Sequence, residues 1–130
     1  MLNRQGDPCG KKSFEQCCGR FLNGGELAKT PEQLMRSRYT AYALGGHGKY
    51  LLQTWFPATA GGLTEEELSD KKLDWRKLEI LNRSQHGDEG VVEFKAWFLR
   101  GINEKLEAMH EISEFRRVNG RWYYIGGRVD

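Results

Sequence analysis

The chain has 130 residues, 38% of them hydrophobic and 12% aromatic, the size and composition of one domain with a core of its own. Lys and Arg number 20 against 18 Asp and Glu, a net charge of +2, which is too balanced to argue for nucleic acid or an anionic membrane surface as partner. No apolar run approaches the roughly 18–20 residues of a membrane span, and no apolar h-region near the start marks a secretory signal, so a cytoplasmic protein with reduced thiols is expected.

The first 29 residues are rich in Gly, Lys and Cys. All three cysteines, Cys9, Cys17 and Cys18, fall within "DPCGKKSFEQCCG" at 7–19. The count is odd, and a disulfide between the neighbours Cys17 and Cys18 would be strained. A disulfide scaffold is therefore a poor reading, which leaves a metal site, a redox thiol or incidental packing. Apart from Phe14, Phe21, Leu22 and Leu27 the segment offers nothing to a core. Such a segment orders only if a cross-link or docking offsets its chain entropy.

The first strong helix signal is "TPEQLMRSRYTAYALGG". Thr30 fits the N-cap, Pro31 the first helical position, and Gln33 completes a capping box. Leu34, Arg38 and Ala41 form one stripe and Met35, Tyr39 and Tyr42 the next, a broad apolar face, and Gly45-Gly46 ends the helix. A second helix is expected from about His47 to Phe56, with Pro57 ending it. Thr64 and Glu67 form another capping box before one or two turns.

From Trp75 onward the pattern is strand-like. "WRKLEILNRSQHGDEGVVEFKAWFL" holds two strands with a turn between Gly87 and Gly90. In the second strand Val92, Phe94, Ala96 and Phe98 alternate with Glu93, Lys95 and Trp97. Asn119-Gly120 between the last two runs is a strong hairpin signal. Helices followed by four antiparallel strands make an α+β domain. A two-residue turn at Asn119-Gly120 sets Arg117 opposite Trp122 and Phe115 opposite Tyr124. One face then carries Met109, Glu111, Ser113, Phe115, Trp122 and Tyr124, the richer in large apolar groups and so the one expected under the helices. Glu111 would point inward among aromatics, where a carboxylate needs a partner or a proton.

The chain resembles the bacterial YchJ family along nearly its whole length. The resemblance rests on "PCG" at 8–10, "KSFEQCCG" at 12–19, "LMRSRYTAY" at 34–42, "YLLQTW" at 50–55, "HEISEF" at 110–115 and "GRWYYIGG" at 120–127. Members begin with a SEC-C motif, a short zinc-binding element also found at the C-terminus of the SecA translocase. The resemblance implies a SEC-C-like extension over residues 1–24. It further implies a cystatin-like cone of the nuclear transport factor type over 25–130, with helices packed on a curved four-stranded sheet. The family's Cys-x-Cys is incomplete here, and one thiolate is missing.

Two sites follow. Structural zinc takes four ligands, mostly Cys or His. Cys9, Cys17 and Cys18 supply three, Asp7 is the nearest fourth, and His47 or His86 could reach over from the body. The alternative is a decayed motif with three free thiols. The second site is a pocket at the open end of the cone, lined by Glu111, Tyr39, Trp55, Trp97 and Arg36 or Arg38. Its bland counterpart is a filled core in which Glu111 pairs with Arg36 or Arg38. His110 lies on the opposite strand face from Glu111 by alternation and cannot form a dyad with it. The expected function is a non-catalytic zinc-binding interaction module. Its SEC-C-like element would dock a protein partner or stabilise the fold, with no nucleic acid bound. The rival is a small-molecule-binding protein or enzyme that uses the cavity.

Overall fold

The computed structural model describes residues 19–23, 25–70, 73–99 and 105–129. Asp7, Cys9, Cys17 and Cys18, and with them the expected zinc knuckle, lie outside the described residues. Among the described residues five helices come first: α1 (Gly19–Leu22), α2 (Pro31–Leu44), α3 (Gly48–Gln53), α4 (Pro57–Ala60) and α5 (Glu65–Ser69). Four strands follow: β1 (Asp74–His86), β2 (Glu89–Leu99), β3 (Glu107–Val118) and β4 (Arg121–Val129). The strands form one antiparallel meander in the order β1-β2-β3-β4, the segregated α+β arrangement anticipated from the pattern. Among the described residues no helix is long and apolar enough to cross a membrane.

The caps explain where α2 and α5 begin. Thr30 Oγ1 accepts the Gln33 amide at 3.1 Å. The Gln33 side chain reaches one residue further back than a capping box requires and accepts the Lys29 amide at 2.7 Å. At α5 the box is complete, with Thr64 and Glu67 exchanging bonds. The expected second helix is shorter than its pattern. It stops at Gln53, and Pro57 opens α4 rather than ending α3. The cause lies in Thr54, Trp55 and Phe56, which form a strap along β4. Phe56 N–H donates to the Tyr124 carbonyl at 2.8 Å, and Tyr124 N–H donates to the Thr54 carbonyl at 2.7 Å. A proline at the first helical position loses no bond, because that amide has no helical acceptor.

The hairpin register is the expected one: Val118 opposes Arg121, Arg117 opposes Trp122 and Phe115 opposes Tyr124. Asn119 and Gly120 have φ of 53° and 80°, the left-handed pair a type I′ turn demands. Register shifts interrupt β1 after Trp75 and Ile80 and β3 after Glu114, and such bulges bend a sheet. Val92, Phe94, Ala96, Phe115 and Trp122 are buried on the face beneath α2. Phe21 of α1, only 4% exposed, belongs to the same core cluster, so a side chain from the first 24 residues contributes to the core of the body.

Candidate functional site

Between α2 and the sheet lies a cavity of about 190 Å³. Of the residues expected in a pocket, Arg38, Tyr39, Trp55 and Glu111 line it, joined by Tyr42, Trp75, Phe94, Ser113 and Tyr124. Arg36 and Trp97 do not. Two residues along a helix turn the direction by about 200°, so Arg36 leaves the sheet and pairs with Glu32, Nε to Oε2 2.8 Å. Trp97 alternates with the buried Ala96 and Phe98 and stands on the other face of the sheet.

Arg38 is 3% exposed. Its Nη1 donates to the Leu51 carbonyl at 2.7 Å and to Thr54 Oγ1 at 2.6 Å. The guanidinium carbon lies 4.9 Å from the Trp55 ring centroid and 4.6 Å from that of Tyr124. Burial pushes its pKa down, opposed by the neighbouring Tyr42, Tyr124 and Tyr50 and by Glu111, and a guanidinium nevertheless stays protonated. The strap is thus tied to α2 by one buried cation.

Glu111 points inward as expected, but the expected ion pair with Arg36 or Arg38 is not formed. Glu111 Oε2 accepts instead from Ser113 Oγ at 2.6 Å and from the Tyr124 hydroxyl at 3.0 Å. Tyr124 therefore links the two charges, its ring against Arg38 and its hydroxyl on Glu111. The site also depends on Gly127, which lies opposite Ser113: a Cβ there would collide with the Glu111 carboxylate. Ser113, Tyr124 and Gly127 were missed in the sequence as partners of Glu111. The signal for them was the same-face set 111, 113 and 124 together with a glycine pair in the closing strand. His110, as alternation requires, faces away from Glu111, and its Nε2 lies 2.6 Å from Glu93 Oε2.

The tyrosines make the site sensitive to alkali. Burial first, and the Glu111 carboxylate second, push Tyr124 well above the ordinary tyrosine range. Burial also raises Tyr42, with Arg38 opposing. Unfolded tyrosines ionise near pH 10. Above that pH the unfolded chain gives up protons that the folded one keeps, so stability is full below about pH 10 and falls as the pH rises beyond it. The urea midpoint is expected to fall above pH 10 more steeply in the wild type than in Tyr124→Phe. Equal slopes in the two proteins would contradict this.

His47 caps α3 and His86 ends β1. Among the described residues no group of three or more His, Cys, Asp or Glu side chains gathers in a way that could hold a metal.

The family model described as "YchJ, middle NTF2-like domain" matches residues 30–127, a span that includes every cavity-lining residue. A UPF0225 protein of Chromobacterium violaceum is 43% identical over 126 residues, covering 94% of this chain and 91% of its own length. A UPF0225 protein of Streptomyces coelicolor is 41% identical, covering 92% of each chain. The solution structure of a SEC-C motif containing protein from Rhodopseudomonas palustris superposes with a TM-score of 0.85 at 36% identity, covering 95% of this chain and 97% of that one. The crystal structure of a SEC-C motif containing protein from Psychrobacter arcticus gives a TM-score of 0.81 at 28% identity, covering 100% of this chain and 86% of that one. The match over 30–127 and the relatives above 40% identity agree with the helix-covered meander: the chain belongs to the YchJ family, and its body is that family's middle NTF2-like domain.

Proposed function

We propose that the chain is a non-catalytic binding module whose body receives a small molecule in the cavity beneath α2. The observation that supports this most is the cavity itself, about 190 Å³ bordered by a buried arginine and a carboxylate. Protein interiors rarely leave voids larger than a water, and an apolar cavity of roughly 150 Å³ suffices for benzene. Binding is favoured over catalysis because Ser113, the aliphatic hydroxyl of the site, donates to Glu111 and no histidine is among the lining residues, so a nucleophile–imidazole arrangement is not built there. The test uses the four tryptophans. Titration with toluene, followed by NMR of the indole N–H resonances, should shift Trp55 and Trp75 saturably and leave Trp97 and Trp122 in place. The absence of a saturable shift at Trp55 and Trp75 would reject the cavity reading.

A second reading concerns the extension, residues 1–24, and draws support from both structural neighbours being SEC-C motif containing proteins. In it Cys9, Cys17, Cys18 and Asp7 hold one zinc ion. The metal cross-links a segment too poor in apolar groups to order alone, and the knuckle docks a protein partner. Thiolate ligation needs reduced cysteines, consistent with the cytoplasmic location expected from the sequence. Protein purified under reducing conditions should carry about one zinc per chain, and Asp7→Cys should raise the affinity. A zinc content near zero, with all three thiols freely titrated, would sink this reading.

A further inference from the structure

Resting on the cavity reading above, we infer that the ligand is a single apolar ring bearing an O–H or N–H donor, recognised by the Oε1 atom of Glu111. Two groups of the cavity wall are left wanting among the described residues: the indole Nε1–H of Trp55, buried without an acceptor, and one oxygen of Glu111, so a hydroxyl on the ring can accept from the first and donate to the second. Arg38 is enclosed: Nη1 already donates to Leu51 and Thr54, and rings of Trp55 and Tyr124 lie against the guanidinium. Glu111 is lopsided. Both of its hydrogen bonds, from Ser113 and Tyr124, fall on Oε2, and among the described residues none falls on Oε1. A carboxylate accepts about four hydrogen bonds, so the cavity offers an acceptor in search of a donor. An anionic ligand would instead set a second negative charge beside Glu111, at a Coulombic cost. The remaining wall, including Tyr39, Trp75, Phe94 and Met109, is flat-sided and mostly apolar, suited to the faces of a ring. The volume admits one ring and its substituent and excludes a nucleotide or a peptide.

The experiment compares four probes of one ring size on the wild-type protein: toluene, phenol, benzylamine and benzoate, each followed at the Trp55 and Trp75 indole resonances. A hydrogen bond to a charged acceptor predicts that phenol and benzylamine bind about tenfold or more tighter than toluene, with benzoate weakest. Phenol ahead of benzylamine would mark a neutral ligand and the reverse order a cationic one, and both support the inference. Glu111→Gln, checked for unchanged thermal unfolding, should weaken benzylamine about tenfold. If toluene binds as tightly as phenol and benzylamine, the donor inference is overturned while the cavity reading stands. If benzoate binds tightest, Arg38 and not Glu111 is the recognition group, and the inference is again overturned. If no probe shifts Trp55 or Trp75, the cavity reading itself fails and this inference falls with it.

Discussion

Trp122→Ala is expected to lower the stability of the folded chain by roughly 4 kcal/mol, within the range for deleting a buried aromatic side chain. Trp122 is 2% exposed and is the largest of the fully buried side chains. It also joins parts of the chain that are distant in sequence. Its Nε1 donates to the Lys29 carbonyl at 3.3 Å, which pins the segment leading into α2. The Arg117 guanidinium lies 5.1 Å from its ring centroid, and Phe21 shares its core cluster. The structure around a deleted buried ring relaxes only in part, so the cavity cost adds to the transfer cost. In a domain whose total stability is typically about 5–15 kcal/mol, the loss is severe and should appear as a fall in Tm of roughly 15 °C. Trp122→Phe retains most of the apolar area and loses mainly the bond to Lys29, so about 1.5 kcal/mol is expected. Chemical denaturation of both variants checks the pair. An alanine variant that lost under about 1 kcal/mol would mean that the chain collapses readily around position 122 and that the residue is no keystone.

The parts of the fold that were readable in the sequence are those set by local chemistry. Asn119-Gly120 dictates a two-residue turn, and from it the facing of Phe115, Trp122 and Tyr124 follows by counting. Thr30-Pro31 and Thr64 with Glu67 start their helices where such caps must. What was misread depended on contacts between distant residues. Pro57 is compatible both with ending a helix and with opening one. The choice was made by Thr54 and Phe56 bonding to Tyr124, nearly 70 residues away in the chain. The site shows the same division. That Glu111 faces inward was legible from strand alternation. That its oxygen is held by Ser113 and Tyr124 rather than by an arginine was not, since it depends on the space left by Gly127. Arg38 was separable from Arg36 only by the direction each takes around that helix. Trp97 stands on the outer face, where its alternation with Ala96 and Phe98 places it.

Arg38→Ala is expected to cost roughly 3 kcal/mol, near the lower end of the range for removing one member of a buried charged arrangement. Two effects oppose each other. Deleting the cation removes the penalty of holding a charge away from water, which favours the variant. It also strands the groups organised around that charge. The Leu51 carbonyl and Thr54 Oγ1 lose their donor, and the rings of Trp55 and Tyr124 lose the cation packed against both. The losses outnumber the gain, and the cavity beside the missing side chain grows as well. Arg38→Met separates the terms, because it fills most of the volume without the charge and should cost markedly less than alanine. Arg38→Lys keeps the charge but lacks the planar fork and the stacking faces, so it should not restore the wild-type value. A second measurement locates the damage. The strap at Thr54 to Phe56 is tied to α2 through this one guanidinium, so the Phe56 amide should exchange with solvent faster in Arg38→Ala even at a temperature where the whole domain stays folded. A variant that lost under about 1 kcal/mol and left Phe56 exchange unchanged would show that backbone pairing to Tyr124 holds the strap unaided, and that Arg38 is kept in the wall of the cavity for its charge alone.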